Sequence, residues 1–211
     1  MVPPSFANNT NLYVICSPGR TGSHIILQML TGDGEKGGLA DTRALWFPAE
    51  KQEYLRFVKR YKVIHLHDII HLKDLDPTTV TLILSLRRDT FAQAMSFIVA
   101  RTVGEWTGPK YSNKMITPVT FDKTEFIDLL KQQLSWQDAL DLSSYKKVVT
   151  IYYEDLVDQG AEFVANKLDL NYNKLRIGHV YQPSPYRYKD IILNWEELQQ
   201  EYLKIINGVI L

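Results

Sequence analysis

The strongest constraint on the fold is a pair of short runs of apolar and β-branched residues, Leu12–Cys16 and Val80–Leu86. Runs of this length and composition are typical of strands that are buried on both faces, as in parallel sheets. Residues 62–67 and 147–153 are predicted as two further strands. Helices are predicted over 24–30, 49–60, 90–102, 122–141, 158–168 and 194–206. Because strands alternate with helices, we expect an α/β fold, three-layer, with a central mostly parallel sheet.

Length and composition add limits on the class of protein. The 211 residues predict a single domain over 1–211, with 1–10 as a loose N-terminal arm. Lys plus Arg and Asp plus Glu both number 24, and this balance argues against a general nucleic-acid binder. The single cysteine, Cys16, excludes an intramolecular disulfide and fits a reducing compartment. No signal-peptide pattern or membrane-length apolar stretch is present, so we expect a cytoplasmic protein without a membrane span.

The segment Ser17–His24 joins the first predicted strand to the first predicted helix and has the composition of an anion-binding loop. Gly19 and Gly22 permit tight backbone turns, and Arg20 supplies a permanent positive charge. The N-terminus of the helix that follows attracts anions. Hydroxyl donors come from Thr21 and Ser23. The segment therefore predicts a phosphate-type site, and the alternative is an ordinary strand-to-helix turn with an exposed arginine.

This loop differs from the P-loop of nucleoside triphosphatases. That motif ends in Gly-Lys-Ser/Thr, whereas Gly22 here is followed by Ser23 and His24. Arg87 and Arg88 follow the strand Val80–Leu86, where a magnesium-binding aspartate would be expected. ATP with magnesium is therefore disfavoured.

A second candidate anion site begins at Arg88. An arginine at the end of a buried strand needs an anionic partner. Ser96 follows eight residues later, two turns into a helix that Asp89 is predicted to cap, so both side chains could share a phosphate. The alternative is that Arg87 and Arg88 pair with local carboxylates such as Asp89, and that Ser96 only packs.

Taken together, these segments resemble the sulfotransferases that use 3′-phosphoadenosine-5′-phosphosulfate (PAPS). The loop containing Pro18 and Arg20-Thr21-Gly22-Ser23 is similar to their 5′-phosphosulfate loop, and Arg88-Asp89 with Ser96 is similar to their 3′-phosphate motif. Tyr153-Glu154-Asp155-Leu156 is similar to a segment of many members. The resemblance covers roughly residues 12 to 160 and implies a P-loop-like sulfotransferase architecture. Departures from the family pattern are the extra Gly19, His24 and Thr90.

The resemblance implies a role for each matching residue. Arg20 would meet the charge that develops in sulfuryl transfer, and Arg88 with Ser96 would hold the 3′-phosphate. Tyr153 would lie beside the adenine. No metal is required. The 5′-phosphate would be held by Thr21, Gly22, Ser23 and His24. The acceptor would be a hydroxyl or amine of a small molecule, carbohydrate or lipid.

A general base is also required, and His67 is the first candidate. It ends the predicted strand 62–67, and alternation places His65 and His67 on one face of that strand. The alternative bases are Glu35, Asp41 and His24.

Two other functions remain open from the sequence. One is a P-loop-type nucleotide or small-molecule kinase, although the lysine of that motif is missing. The other is a non-catalytic module that binds a nucleotide or another anion.

Overall fold

The computed structural model describes residues 12–31, 63–67, 69, 72, 75–104, 117–136, 138–170 and 188–208. The chain divides into two compact units, of which the first comprises Met1–Arg88 and Leu140–Val180, and the second Asp89–Ala139 and Tyr181–Leu211. The predicted single domain over 1–211 stays a prediction. The arm 1–10, the helix 49–60 and most of the loop 103–120 lie outside the described residues.

The described elements follow the predicted alternation of strands and helices. The strands are β1 Leu12–Cys16, β2 Val63–Leu66, β3 Val80–Leu86 and β4 Lys147–Tyr152. The helices are α1 Ser23–Thr31, α2 Thr90–Val103, α3 Lys123–Ser135, α4 Tyr153–Leu168, α5 Tyr188–Ile191 and α6 Trp195–Ile206. Among the described residues no helix is long and apolar enough to cross a membrane.

The first unit contains a four-stranded sheet in the order β2-β1-β3-β4. Every neighbouring pair is parallel, so the predicted α/β class is confirmed. Cys16 of β1 is in register with Leu66 of β2 and with Leu84 of β3. The carboxyl ends of β1 and β2 therefore lie side by side, and the loop after β1 begins next to the end of β2.

The strand order creates a topological switch point at β1. The chain passes from β1 to β2 on one side and then to β3 on the other side. In parallel α/β sheets, ligands bind outside the carboxyl ends of the strands where the order reverses in this way. The segment predicted to bind an anion follows β1 directly.

Apolar side chains bury both faces of the sheet, as predicted from the uninterrupted runs. On one face, Ile15, Ile83 and Val149 form a core with residues of α1 and α4, among them Ile26 and Val164. On the opposite face the alternate residues of the central strands, Val14, Leu82 and Leu84, are buried as well. The three-layer arrangement and the specific sulfotransferase architecture stay predictions.

The second unit consists of α2, α3, α5 and α6 around a core that includes Phe91, Phe126 and Leu198. The Asp89 side chain accepts a hydrogen bond from the Ala92 N–H at 2.8 Å and caps α2, as predicted. The same arrangement at Asp122 caps α3.

Two predicted helix boundaries were wrong. The helix predicted over 122–141 ends at Ser135, and at its predicted end the Asp141 side chain instead accepts hydrogen bonds from the Ser143 N–H and hydroxyl in a local turn. The helix predicted over 158–168 begins at Tyr153 and is broken at Gly160, whose φ of 66° and ψ of −153° are not helical.

Candidate functional site

The loop after β1 has an unusual backbone. Gly19, Arg20 and Gly22 have φ values of 88°, 56° and 78°. A non-glycine residue in this left-handed region costs roughly 1–2 kcal/mol, so the surrounding structure must impose the conformation of Arg20. Backbone turns of this kind direct N–H groups into one concavity, which is a recurrent anion-binding arrangement.

The loop leads directly into α1. The Gly22 carbonyl accepts hydrogen bonds from the N–H groups of Ile25 at 2.9 Å and Ile26 at 3.4 Å. The first N–H groups of a helix have no carbonyl partner within it, and the helix dipole adds positive potential there. The first turn of α1 contains no acidic residue to oppose an anion. Backbone and electrostatics therefore both favour a negative ligand at this end of the loop.

Thr21 anchors the loop and presents a buried hydroxyl. Its backbone carbonyl accepts a 2.9 Å hydrogen bond from the Ser85 hydroxyl of β3. Its Oγ1 atom is buried and has no hydrogen-bond partner among the described residues. Because a buried hydroxyl without a partner costs about 1–3 kcal/mol, a bound ligand oxygen would relieve this cost.

Gly22 also lies against the start of α4. A Cβ atom at Gly22 would lie 2.9 Å from Cδ2 of Tyr153 and 3.3 Å from Cδ2 of Leu156. The Arg87 guanidinium carbon lies 4.6 Å from the centroid of the Tyr153 ring. The structure thus places Tyr153, the residue predicted beside the adenine, against both Arg87 and the loop 17–22, named the anion loop because it is predicted to bind an anion.

Arg88 pairs with the acidic start of α4. Its Nη1 and Nη2 atoms donate to the two carboxylate oxygens of Asp155 at 2.7 and 2.8 Å, and its backbone N–H donates to Glu154 at 3.1 Å. Its guanidinium carbon lies 4.2 Å from the Tyr152 ring centroid. The carboxylate partner is therefore Asp155 rather than Asp89. Asp155 occupies two of the five guanidinium N–H groups, and the side chain is 51% exposed.

Three histidines of the first unit form a cluster next to the loop. One candidate metal-ligating nitrogen from each of His24, His65 and His67 lies within 4.8 Å of those of the other two. The His65 ring makes edge contacts with both others, at centroid distances of 5.1 Å to His24 and 4.4 Å to His67. A Cβ atom at Gly19 would lie 4.0 Å from Nδ1 of His67, so the cluster borders the anion loop.

Ser17 connects the loop to this cluster. Its hydroxyl lies 3.2 Å from both Nε2 of His65 and Nδ1 of His67. The side chains of His65, in β2, and His67, directly after it, therefore lie on the same side, as predicted from alternation. Nδ1 of His67 lies 3.0 Å from the Ser17 carbonyl oxygen, which can only accept a hydrogen bond. The proton of a neutral His67 ring is therefore held on Nδ1, and Nε2 carries the lone pair.

Burial keeps all three rings uncharged at neutral pH. Desolvation, with smaller contributions from the charges of His67 and Arg20, lowers the pKa of His24 to about 4. Desolvation also lowers the pKa of His65 well below its ordinary value. It lowers the pKa of His67 too, although the Ser17 hydrogen bond opposes that shift. An uncharged imidazole can accept a proton or bind a metal ion.

The predicted roles of three further residues stay predictions. Ser96 is buried on α2 in the second unit. Glu35 and Asp41 lie outside the described residues. Ser17, Ser85 and Asp155 were not predicted as site residues. The adjacency of parallel strand ends was the signal that could have indicated Ser17 and Ser85.

Comparisons with known proteins add no relative: no protein-family model, curated protein or solved structure matches the chain. The geometry of the site is therefore the evidence for its function.

The contact between Gly22 and Tyr153 gives a stability prediction. Gly22→Ala should lower the free energy of unfolding more than Gly19→Ala does, measured by urea denaturation. Both substitutions place alanine at a positive φ, at roughly 1–2 kcal/mol each. Only Gly22→Ala adds a 2.9 Å contact, and overpacking of this kind costs typically about 1–3 kcal/mol. Equal losses in the two variants would contradict the close packing of the loop against Tyr153.

The histidine cluster gives a pH prediction. The pKa of His24 is about 4 in the folded chain against an ordinary 6.5, so between these values the unfolded chain binds more protons. The free energy of unfolding should therefore fall as pH is lowered from 7 to 5, by up to about 1.4 kcal/mol per pH unit for each such ring. Urea denaturation across this range measures the slope. His24→Gln should flatten it, and parallel curves for the two proteins would show that His24 is not held neutral.

Proposed function

We propose that the loop after β1 binds the 5′-phosphosulfate of PAPS and that the protein is a sulfotransferase. The observation that carries the proposal is the loop itself. Gly19, Arg20 and Gly22 have positive φ values, the loop ends at the start of α1, and Thr21 contributes a buried hydroxyl without a described partner. An uncharged His67 borders this loop, so a candidate proton acceptor lies beside the anion site.

In this proposal the loop binds the end of the donor where charge develops. N–H groups at the start of α1 and the hydroxyls of Thr21 and Ser23 hold the 5′-phosphate oxygens. Arg20 neutralises the charge that grows on the bridging oxygen as the bond from sulfur to the 5′-phosphate breaks. Such fixed donors stabilise the transition state without a residue that bonds covalently to the sulfuryl group.

Arg88 is proposed to bind the 3′-phosphate of the same nucleotide. It follows β3, the neighbour of β1 at the switch point, and its guanidinium is held against Tyr152 by Asp155. Within the described part of the chain, Asp155 accepts from two of the five guanidinium N–H groups, and no partner is found for the other three. A phosphate can therefore bind to Arg88 without breaking the ion pair.

His67 is proposed as the general base. The acceptor hydroxyl or amine attacks sulfur in line with the departing 5′-phosphate oxygen. The new O–S or N–S bond forms as the bond from sulfur to the bridging oxygen breaks, and the acceptor proton passes to Nε2 of His67. Adenosine 3′,5′-bisphosphate leaves with the electron pair of the broken bond. The Ser17 carbonyl keeps Nδ1 protonated throughout and so orients Nε2 as the acceptor atom.

Nucleotide binding tests the two arginines separately. In calorimetric titrations without metal, adenosine 3′,5′-bisphosphate should bind at least about tenfold more tightly than adenosine 5′-phosphate, since charge-assisted hydrogen bonds to a phosphate contribute about 1.5–3 kcal/mol. Arg88→Ala should abolish this preference. Arg20→Ala should weaken both nucleotides alike, because it acts at the 5′ end.

Arg101→Ala is the matched control for these titrations. Arg101 is an exposed arginine that pairs with Glu125 in the second unit, so its loss removes the same charge. This variant should bind as the unaltered chain does. Equal affinity of the unaltered chain for both nucleotides would overturn the assignment of Arg88.

Turnover tests the base. His67→Ala should reduce conversion of PAPS to adenosine 3′,5′-bisphosphate at least about hundredfold, the lower end of what a general base contributes. The assay uses phenol, sugar-alcohol and amine acceptors in parallel, and titration with the bisphosphate shows whether donor affinity is retained. Full activity of His67→Ala would move the role to Glu35, Asp41 or His24.

A further inference from the structure

The three-histidine cluster is built like a metal site. His24 comes from α1, His65 comes from β2 and His67 follows β2 directly, so three side chains from two parts of the fold converge. Their candidate nitrogens lie within 4.8 Å of one another. Around one tetrahedral metal ion, with bonds of about 2.0–2.1 Å to histidine, such nitrogens stand about 3.3 Å apart. The nitrogens must therefore approach one another by at most about 1.5 Å for all three to bind one ion.

Hydrogen bonding around the cluster also fits metal coordination. A metal-bound histidine usually donates its other N–H to a carbonyl or carboxylate, and this bond orients the ring. His67 has such a partner in the Ser17 carbonyl at 3.0 Å. The Ser17 hydroxyl at 3.2 Å positions the His65 ring in addition. Two of the three rings are thus held by the one residue that follows β1.

The donor set selects the kind of ion. The cluster among the described residues consists of imidazoles alone, without a carboxylate. Imidazole nitrogen suits Zn²⁺, Cu²⁺, Ni²⁺ and related ions, whereas Mg²⁺ and Ca²⁺ prefer oxygen ligands. Three histidines also leave a fourth position for water or another ligand, as in catalytic zinc sites.

We propose that His24, His65 and His67 bind one divalent transition-metal ion of the Zn²⁺ type beside the anion loop. This goes beyond the proposed sulfuryl transfer, for which no metal is needed. It also restricts that function, because the lone pair on Nε2 of His67 cannot accept a proton while it is bound to a metal. Metal binding at the cluster and proton acceptance by His67 exclude one another, so the ion inhibits sulfuryl transfer wherever His67 is the base.

Calorimetric titration of the full chain with ZnCl₂, after treatment with a chelator and without nucleotide, tests the site. The unaltered chain should bind one equivalent of Zn²⁺, and MgCl₂ should give no saturable binding. His24→Ala should weaken Zn²⁺ binding at least tenfold. Gln28→Ala is the matched control, since Gln28 is exposed one turn further along α1, and it should bind as the unaltered chain does.

Three results would overturn the proposal: no one-to-one Zn²⁺ binding by the unaltered chain, equal binding by His24→Ala, or binding of Mg²⁺ that His24→Ala abolishes. Thermal unfolding gives an independent measurement, because an ion bound only by the folded chain raises the melting temperature. At one Zn²⁺ concentration, it should rise for the unaltered chain and Gln28→Ala, and rise less or not at all for His24→Ala. If His24→Ala does not fold, His67→Asn takes its place with the same expected results.

The nucleotide titrations keep this proposal separate from the proposed function. If the sulfotransferase assignment is wrong, the chain binds Zn²⁺ but shows no preference for adenosine 3′,5′-bisphosphate. If the metal site is wrong, the chain shows that preference but does not bind Zn²⁺. If both hold, Zn²⁺ should inhibit PAPS turnover in parallel with its occupancy of the cluster.

Discussion

The hydrogen bonds of Ser17 are the interaction on which the arrangement of the site depends. The Ser17 N–H donates to the Leu66 carbonyl at 3.0 Å and so extends the β1–β2 ladder one residue beyond the strand. This backbone contact fixes where the Ser17 side chain and carbonyl meet His65 and His67. The register of two parallel strands therefore determines that a histidine pair borders the anion loop. A shift of one residue would turn both rings to the other face of the sheet.

Burial determines what these histidines can do. Desolvation lowers the pKa of each ring, so none of the three supplies a positive charge to an anion at neutral pH. Positive potential at the loop must come from Arg20 and from the start of α1 instead. The two tasks need different side chains, because a positive charge attracts an anion whereas only a neutral imidazole can accept a proton. The same neutral rings can bind a metal ion, and the single lone pair of His67 makes these two roles alternatives.

The sequence predicted the parts of the fold that depend on local pattern. Runs such as Val80–Leu86 are typical of strands buried on both sides, and the caps at Asp89 and Asp122 depend on residues three positions apart. The end of α3 at Ser135 was not predicted. The break at Gly160 was not predicted either, because it depends on the backbone angles of one residue. For the site, loop composition and alternation along β2 predicted Arg20 and the His65–His67 pair. The approach of His24 to that pair depends on how α1 packs against the sheet, which no local pattern encodes.

The environment of Arg88 shows how an ion pair can prepare a binding group. An exposed pair such as Arg88–Asp155 adds little to stability, so stability alone does not account for its bidentate geometry. Asp155 and the Tyr152 ring hold the guanidinium in one orientation. A ligand that binds the remaining N–H groups then loses less side-chain entropy than it would by ordering a mobile arginine. Asp155 also repels a phosphate brought to the same guanidinium, so the benefit of order is offset by like charge. The balance favours an anion that approaches one of the lateral edges of the guanidinium, which Asp155 does not occupy.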